Sequence, residues 1–208
     1  DNIKDYQDYL RAHMEYSWHR HMAALLRRSE TEVAQMELLD AENAQLLRAF
    51  GFIDMVAFTN RSNELGSAEF IHLIEEFDYT CRDIIYAAGA RVVKTIGDAF
   101  LYIADDLVTG AEVSTGIVQA LRNIEGMLPV RASLGVVSRF GDIFGPKVNL
   151  ASRLVDVADS GAVLTDKDTA GILRNLRLGR YTLVPAGSPT LQGFGKIDAV
   201  ELRRMPTA

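Results

Sequence analysis

A chain of 208 residues is long enough for one domain with a full hydrophobic core and an additional segment. Its net charge of -6 argues against a nucleic-acid polymer as partner, because binding to a phosphate backbone requires a basic surface. The single cysteine, Cys81, excludes an internal disulfide, and no apolar run reaches the length of a membrane span. We expect a cytoplasmic protein without membrane contact in this chain, and a start at Asp1 rather than Met indicates a piece of a longer protein.

Residues 1–47 are predicted to be helical, because they lack Pro and Gly and are rich in Ala, Leu, Glu and Arg. Several of their apolar residues fall near heptad spacing, which favours a dimerising or signal-relaying helix over a helix packed passively on its own domain. His13, His19 and His21 also lie in this segment. A pH switch is the less favoured interpretation of these histidines, because exposed histidines on helices are common.

The composition changes at Arg48, and residues 48–208 are predicted to form one α+β domain. Its predicted elements are a strand at 49–56, a helix at 67–88, strands at 91–96 and 99–103, a helix at 107–127, a strand at 130–138, a turn and short strand at 140–144, a helix from Pro146, a strand at 162–165, a short helix, and strands at 181–185 and 199–202. The order β-α-β-β-α-β predicts a ferredoxin-like unit, with extra C-terminal α/β elements.

Two aspartates each follow an apolar, strand-like run. Asp54 ends the first predicted strand, and Asp98 lies in the Gly-Asp turn of the predicted hairpin. Taken singly, a strand-end aspartate often caps a helix and Gly-Asp is a common turn. In a ferredoxin-like sheet the hairpin turn can approach the end of the first strand, where two carboxylates repel each other unless a cation joins them. Mg²⁺ prefers one or two carboxylates with phosphate oxygens, so the pair indicates nucleotide chemistry.

A third segment adds polar groups that suit a nucleotide. Asn149 and Arg153 stand at positions i and i+4 of the helix that begins at Pro146, and therefore share one helical face. Arg can donate to phosphate oxygens with its planar fork and Asn can orient a ribose oxygen; the alternative is a surface Asn and an Arg in a salt bridge. Lys94 interrupts an apolar strand, where a lysine either reaches solvent or donates a hydrogen bond in a base pocket.

Together these segments resemble the catalytic domain of class III nucleotidyl cyclases, and especially of actinobacterial adenylyl cyclases. The resemblance covers about residues 48–203 and rests on FIDMVAFT at 52–59, KTIGD at 94–98 and FGPKVNLASR at 144–153. It implies an enzyme that converts ATP to 3′,5′-cyclic AMP and pyrophosphate. It also implies a head-to-tail homodimer with two shared sites, in which one protomer supplies the aspartates and the other supplies the groups that contact the nucleotide.

The resemblance also implies roles for individual residues at the metal site. Asp54 and Asp98 match the two metal-binding aspartates of the family, and Met55 is a further candidate metal contact. Two Mg²⁺ or Mn²⁺ ions are implied for each site.

Other matched positions are implied to contact the substrate. Lys94 matches the lysine that selects adenine, where guanylyl cyclases have Glu. Asn149 and Arg153 match the pair that orients the ribose and stabilises the transition state. Phe58 and Thr59 are further candidate substrate contacts.

The chain departs from the family at two positions. Many members have Asp or Thr as a second adenine contact directly after the glycine that matches Gly145, where this chain has Pro146 without a side-chain donor or acceptor. Adenine selection must then depend on Lys94, backbone groups or water, with Pro146 as a candidate apolar contact. The family often has a lysine near the last strand that contacts the triphosphate, and Lys196 is the candidate here.

Three alternatives stay open. A guanylyl or dual-specificity cyclase is disfavoured by Lys94, although Pro146 leaves it possible on chemical grounds. A catalytically silent nucleotide-binding module that only dimerises is disfavoured because both aspartates and Arg153 are present. In a third interpretation, residues 1–47 are a coiled-coil regulator that carries a passenger domain.

Overall fold

A computed structural model of the chain describes residues 47–56, 67–96, 98–138, 145–176 and 179–205. In chain order its elements are β1 (Leu47–Met55), α1 (Ser67–Ala87), β2 (Arg91–Ile96), β3 (Ala99–Ala104), α2 (Leu107–Arg122), β4 (Val130–Ser138), α3 (Pro146–Asp156), β5 (Val163–Asp166), α4 (Lys167–Asn175), β6 (Tyr181–Pro185), β7 (Thr190–Leu191), β8 (Gly195–Lys196) and β9 (Ala199–Arg204). Residues 1–46 of the predicted helical segment and the predicted strand at 140–144 lie outside the described residues. Within the described ranges, no helix is both long and apolar enough to cross a membrane.

The sheet places the end of β1 between two antiparallel neighbours. Asp54 lies opposite Ala99 of β3 on one side and opposite Arg131 of β4 on the other. The order β2-β3-β1-β4 is that of the ferredoxin-like unit, so the predicted α+β fold is confirmed. β5 continues the sheet parallel to β4, and β9 and β6 complete it at that edge.

Helices cover both faces of this sheet. α1 and α2 pack on one face, where Phe77 and Ile117 lie in the main hydrophobic core with alternate residues of β1. α3 packs on the other face, where Val148 clusters with Phe50 of β1. Because side chains alternate along a strand, Asp54 lies on the same face of the sheet as Phe50 and therefore as α3.

Gly51 of β1 lies against a fully buried tyrosine. A Cβ atom added at Gly51 would lie 2.5 Å from Cε1 of Tyr102, whose Oη is 2.6 Å from Oγ of Ser114. Because the ring is held in place, Gly51→Ala is expected to lower the free energy of unfolding by roughly 1–3 kcal/mol, measured by urea denaturation. Gly116→Ala is the control, since its added Cβ meets no atom closer than 3.6 Å. An equal loss of stability in both variants would contradict this account.

Three parts of the chain differ from the predicted elements. β1 begins at Leu47, although the helical segment was predicted to include this residue and the strand to begin at residue 49. α2 ends at Arg122 rather than near residue 127, because Asn123 caps the helix and Gly126 adopts a φ of 79°. Ile124 and Met127 still pack against the core after the helix has ended, and this continued apolar spacing explains the overlong prediction. The β7–β8 hairpin was not predicted, because two-residue strands are too short to show a period.

Candidate functional site

The end of β1 and the β2–β3 turn bring two carboxylates together. Asp54 lies opposite Ala99, the residue after Asp98, and the Met55 backbone N–H donates to the Asp98 carbonyl oxygen at 3.4 Å. The Asp54 side chain is 15% exposed, and Asp98 is partly buried. The two residues predicted to hold metal are therefore neighbours at one end of the sheet.

Burial and charge raise the pKa of the Asp98 carboxyl above its ordinary value. Burial is the largest cause, and the negative charge of Asp54 acts in the same direction, whereas a backbone hydrogen bond and the charge of Arg131 lower the pKa. Burial and the charge of Asp54 thus destabilise the ionised form of Asp98, and Arg131 opposes this effect. A divalent cation between the two carboxylates would offset both burial and repulsion.

Arg131 of β4 is a site residue that the sequence analysis missed. It donates from Nε at 2.8 Å and from Nη2 at 2.7 Å, both to Oδ2 of Asp54. Its Nη1 donates to the carbonyl oxygen of Asp156, the last residue of α3, at 2.7 Å. The sequence did offer a signal, because Arg131 is a charged residue near the start of an apolar strand. The partner of Arg131, Asp54, is 77 positions away in the sequence, so this signal could not identify it.

Two side chains of β4 hold α3 against the sheet. The Ser133 hydroxyl donates to the carbonyl oxygen of Ala151 at 2.7 Å, and Arg131 binds the carbonyl oxygen at the end of the helix. The helix begins at Pro146, as predicted, because a proline in the first turn has no N–H to leave unpaired. The position of α3 is therefore set by β4, the strand beside Asp54.

Asn149 and Arg153 lie on the exposed side of α3. Both side chains face solvent, and Nη1 of Arg153 is 3.4 Å from Oδ2 of Asp156. An exposed ion pair of this kind contributes little to stability, so the Arg153 guanidinium can exchange this partner for another anion at low cost.

Lys94 is exposed in β2 at a bulge, where the register with β3 shifts between Val92 and Lys94. Lys94 lies opposite Leu101, which in turn lies opposite Phe52 of β1. Because strands are about 4.8 Å apart and rise about 3.4 Å per residue, the Cα atoms of Lys94 and Asp54 are separated by roughly 12 Å. Lys94 thus belongs to the same region of the sheet as Asp54 without contacting it.

The remaining residues that were predicted to contact the metal or the substrate lie in different environments. The Met55 side chain is 2% exposed and lies in the core, so Met55 can contact a metal only through its backbone carbonyl. Pro146 is exposed at the start of α3, and Lys196 is exposed on β8. Phe58 and Thr59 lie outside the described residues, so their predicted roles stay predictions.

The described residues fit a divalent metal that is held together with a phosphate. Among them, no group of three or more His, Cys, Asp or Glu residues forms a metal cluster. Asp54 and Asp98 supply two adjacent carboxylates, the ligand set that Mg²⁺ uses when substrate phosphates complete its coordination. The pair therefore suits a divalent metal whose coordination is completed by water or by substrate phosphates.

Two known proteins share much of this sequence. An adenylate cyclase of Glutamicibacter nicotianae is 36% identical over 199 residues, which cover 90% of this chain and 49% of that protein. An adenylate cyclase of Streptomyces coelicolor is 38% identical over 154 residues, which cover 73% of this chain and 39% of that protein. The chain belongs to the class III nucleotidyl cyclases. It spans about half the length, or less, of these curated relatives. No family model matches the chain.

A solved cyclase structure has the same fold as this class III domain. The catalytic core of a rhodopsin-guanylyl cyclase with converted specificity, in complex with ATPαS, superimposes with a TM-score of 0.66. The match covers 77% of this chain and 97% of that chain at 18% identity. At this identity the likeness shows the fold alone, and it agrees with the α+β architecture described above.

Proposed function

We propose that this class III domain is an adenylyl cyclase that converts ATP to 3′,5′-cyclic AMP and pyrophosphate, with two Mg²⁺ or Mn²⁺ ions per site. The observation that carries the proposal is the adjacent pair Asp54 and Asp98 at the end of the central strand. The names of the two relatives, both adenylate cyclases, support ATP as the substrate. Ions held by the two aspartates would activate the ribose 3′-hydroxyl and neutralise charge on the phosphates.

The residues of α3 have the chemistry that the reaction needs. The ribose 3′-oxygen forms a bond to the α-phosphorus, the bond from the α-phosphorus to the pyrophosphate oxygen breaks, and the hydroxyl proton passes to solvent. Arg153, whose ion pair with Asp156 is exposed, would donate to the α-phosphate as charge develops there. Asn149, one turn earlier on the same helical face, would hold the ribose so that the attack is in line.

We further propose that each site is shared between two protomers of a homodimer. Within the described ranges, no hydrogen bond or ion pair joins the aspartates to Lys94, Asn149 or Arg153. The aspartates lie at the end of the sheet, whereas Asn149 and Arg153 face solvent on α3. This separation supports a head-to-tail dimer in which the α3 residues of one chain meet the aspartates of the other. Residues 1–47 are proposed as the segment that positions or regulates this dimer.

Recognition of the base depends on Lys94 in this proposal. A lysine ammonium can donate to a ring nitrogen of adenine but accepts no hydrogen bond. The adenine 6-amino group therefore requires an acceptor from elsewhere, and the exposed Pro146 has none in its side chain. Backbone carbonyls or water would supply that acceptor, which makes the preference for adenine over guanine modest.

Replacing Lys94 with Glu is expected to reduce ATP turnover at least about tenfold and to raise the ratio of GTP to ATP turnover, because a carboxylate accepts from the guanine edge. Loss of one hydrogen bond to a charged group is worth about 1.5–3 kcal/mol, and 1.4 kcal/mol corresponds to a factor of ten. Steady-state kinetics with both nucleotides measure the change. Lys167→Glu is the matched control, since Lys167 is 79% exposed and outside the site. Unchanged ATP kinetics in Lys94→Glu would show that Lys94 does not contact the base.

The direct test of the proposed function is product analysis with the purified protein. The protein is incubated with ATP or GTP in the presence of Mn²⁺ or Mg²⁺, and the nucleotides are separated by chromatography. Cyclic AMP formation that requires the metal is the expected result. Cyclic GMP as the only product would support the guanylyl cyclase alternative, and the absence of any cyclic nucleotide would support a silent nucleotide-binding module.

A further inference from the structure

Arg131 makes three hydrogen bonds in two directions, and the proposed reaction uses none of them. Nε and Nη2 donate to Asp54, and Nη1 donates to the carbonyl oxygen of Asp156. The side chains of Arg131 and Asp54 are only 22% and 15% exposed. A pair this sheltered is screened less by solvent than a surface ion pair, so its geometry is well defined.

The two bonds to Asp54 go to the same oxygen atom. Both donors of Arg131 contact Oδ2, and no described residue donates a hydrogen bond to Oδ1. The planar, rigid guanidinium therefore fixes the carboxylate by one oxygen, and no described residue competes for the other. Hydrogen bonds to the second oxygen of a ligating carboxylate orient that carboxylate toward its metal.

The third bond links this carboxylate to α3. The carbonyl oxygen of Asp156 is at the end of the helix, where backbone carbonyls lack an intrahelical partner. Arg131 supplies that partner, while the Ser133 hydroxyl donates to the carbonyl oxygen of Ala151, five residues earlier. One side chain thus positions both Asp54 and the C-terminal end of the helix that carries Arg153.

We infer that Arg131 is a positioning residue that orients Asp54 so that Oδ1 binds the metal, and that anchors the end of α3. The inference rests on the proposed function, because it takes Asp54 as a metal ligand. In the shared-site dimer, Asp54 serves one site and Arg153 of the same chain serves the other. Arg131 therefore supports both sites of the dimer through two different contacts.

Mn²⁺ binding without nucleotide tests this inference separately from catalysis. Arg131→Lys keeps the positive charge but loses the planar guanidinium with its several donors. A change in Mn²⁺ affinity therefore reports the orientation of Asp54 rather than the charge beside it. We expect Mn²⁺ to bind about 10–100-fold more weakly to Arg131→Lys than to the wild type, measured by electron paramagnetic resonance of the free ion. Ser133→Ala is the matched control: it removes the other bond to α3 and does not touch Asp54, so it is expected to bind Mn²⁺ like the wild type.

Several outcomes separate this inference from its alternatives. Wild-type Mn²⁺ affinity, or tighter binding, in folded Arg131→Lys would overturn it and would indicate that Arg131 merely competes with the metal. If the lysine variant does not fold, Arg131→Gln is the second variant: it retains one amide donor but removes a positive charge that repels Mn²⁺, and weaker Mn²⁺ binding is expected there despite the loss of that repulsion. A wild-type protein that binds Mn²⁺ but forms no cyclic nucleotide would contradict the proposed function and leave the role of Arg131 intact.

Discussion

Asp54→Asn and Asp98→Asn are each expected to reduce cyclic AMP formation by about 10²–10³-fold or more, because a charged ligand of the activating metal is replaced by a neutral amide. The two carboxylates are neighbours at the end of β1, so losing either one removes half of the negative charge available to the metal. Activity is measured at saturating Mn²⁺, so that weaker metal binding alone does not account for the loss. Turnover like that of the wild type in either variant would contradict the metal site.

The melting temperatures of the two variants distinguish a loss of function at the metal site from unfolding of the protein. Because the pKa of Asp98 is raised in the folded protein, the folded state holds the proton more tightly than the unfolded state. The free energy of unfolding therefore falls as pH rises from the pKa of Asp98 in the unfolded state to its pKa in the folded state. At neutral pH without metal, Asp98→Asn is therefore expected to keep or raise the melting temperature. Asp54→Asn is expected to lower it, because Arg131 loses its charged partner. Both variants should lose the stabilisation that Mn²⁺ gives to the wild type.

A mixture of two inactive variants, Asp54→Asn and Arg153→Ala, is expected to recover about a quarter of the wild-type activity. Each variant alone forms homodimers in which both sites lack one essential group. In a mixed dimer both changes fall in one site, and the other site combines the intact Asp54 of one chain with the intact Arg153 of its partner. Random exchange makes about half of the dimers mixed, and each has one complete site of two, by the two-fold symmetry of the interface.

The control for this experiment uses two variants of the same half-site. Asp54→Asn mixed with Asp98→Asn is expected to stay inactive, because every site then receives a damaged pair of aspartates from one chain. Subunit exchange is demonstrated independently with differently tagged chains, and cyclic AMP is measured after mixing. If exchange occurs and the Asp54→Asn and Arg153→Ala mixture stays inactive, the groups act within one chain and the shared-site proposal is wrong.

Local patterns in the sequence were sufficient to predict the order of helices and strands and to identify the two aspartates of the candidate metal site. Alternation and helical periodicity predicted most strands and helices within the described residues, and Pro146 marked the start of α3. Asp54 and Asp98 could be found because each lies at the end of an apolar, strand-like run, and their approach follows from the ferredoxin-like order. Each of these inferences uses residues close together in the chain or a fold rule that depends only on the order of elements. The boundary predicted at residue 48 and the roles of residues 1–47 stay predictions.

Only the tertiary structure decided which residues surround those aspartates. The partnership of Arg131 with Asp54 depends on the register of β1 against β4, and that register is fixed by packing on both faces of the sheet. The two hydrogen bonds from β4 to α3 likewise join segments that are distant in sequence, and the bulge beside Lys94 is an irregularity in the register of β2 against β3. The sequence by itself therefore determined which groups could perform nucleotide chemistry. The tertiary structure decided how those groups are held, because hydrogen bonds between distant segments leave no periodic signal in the sequence.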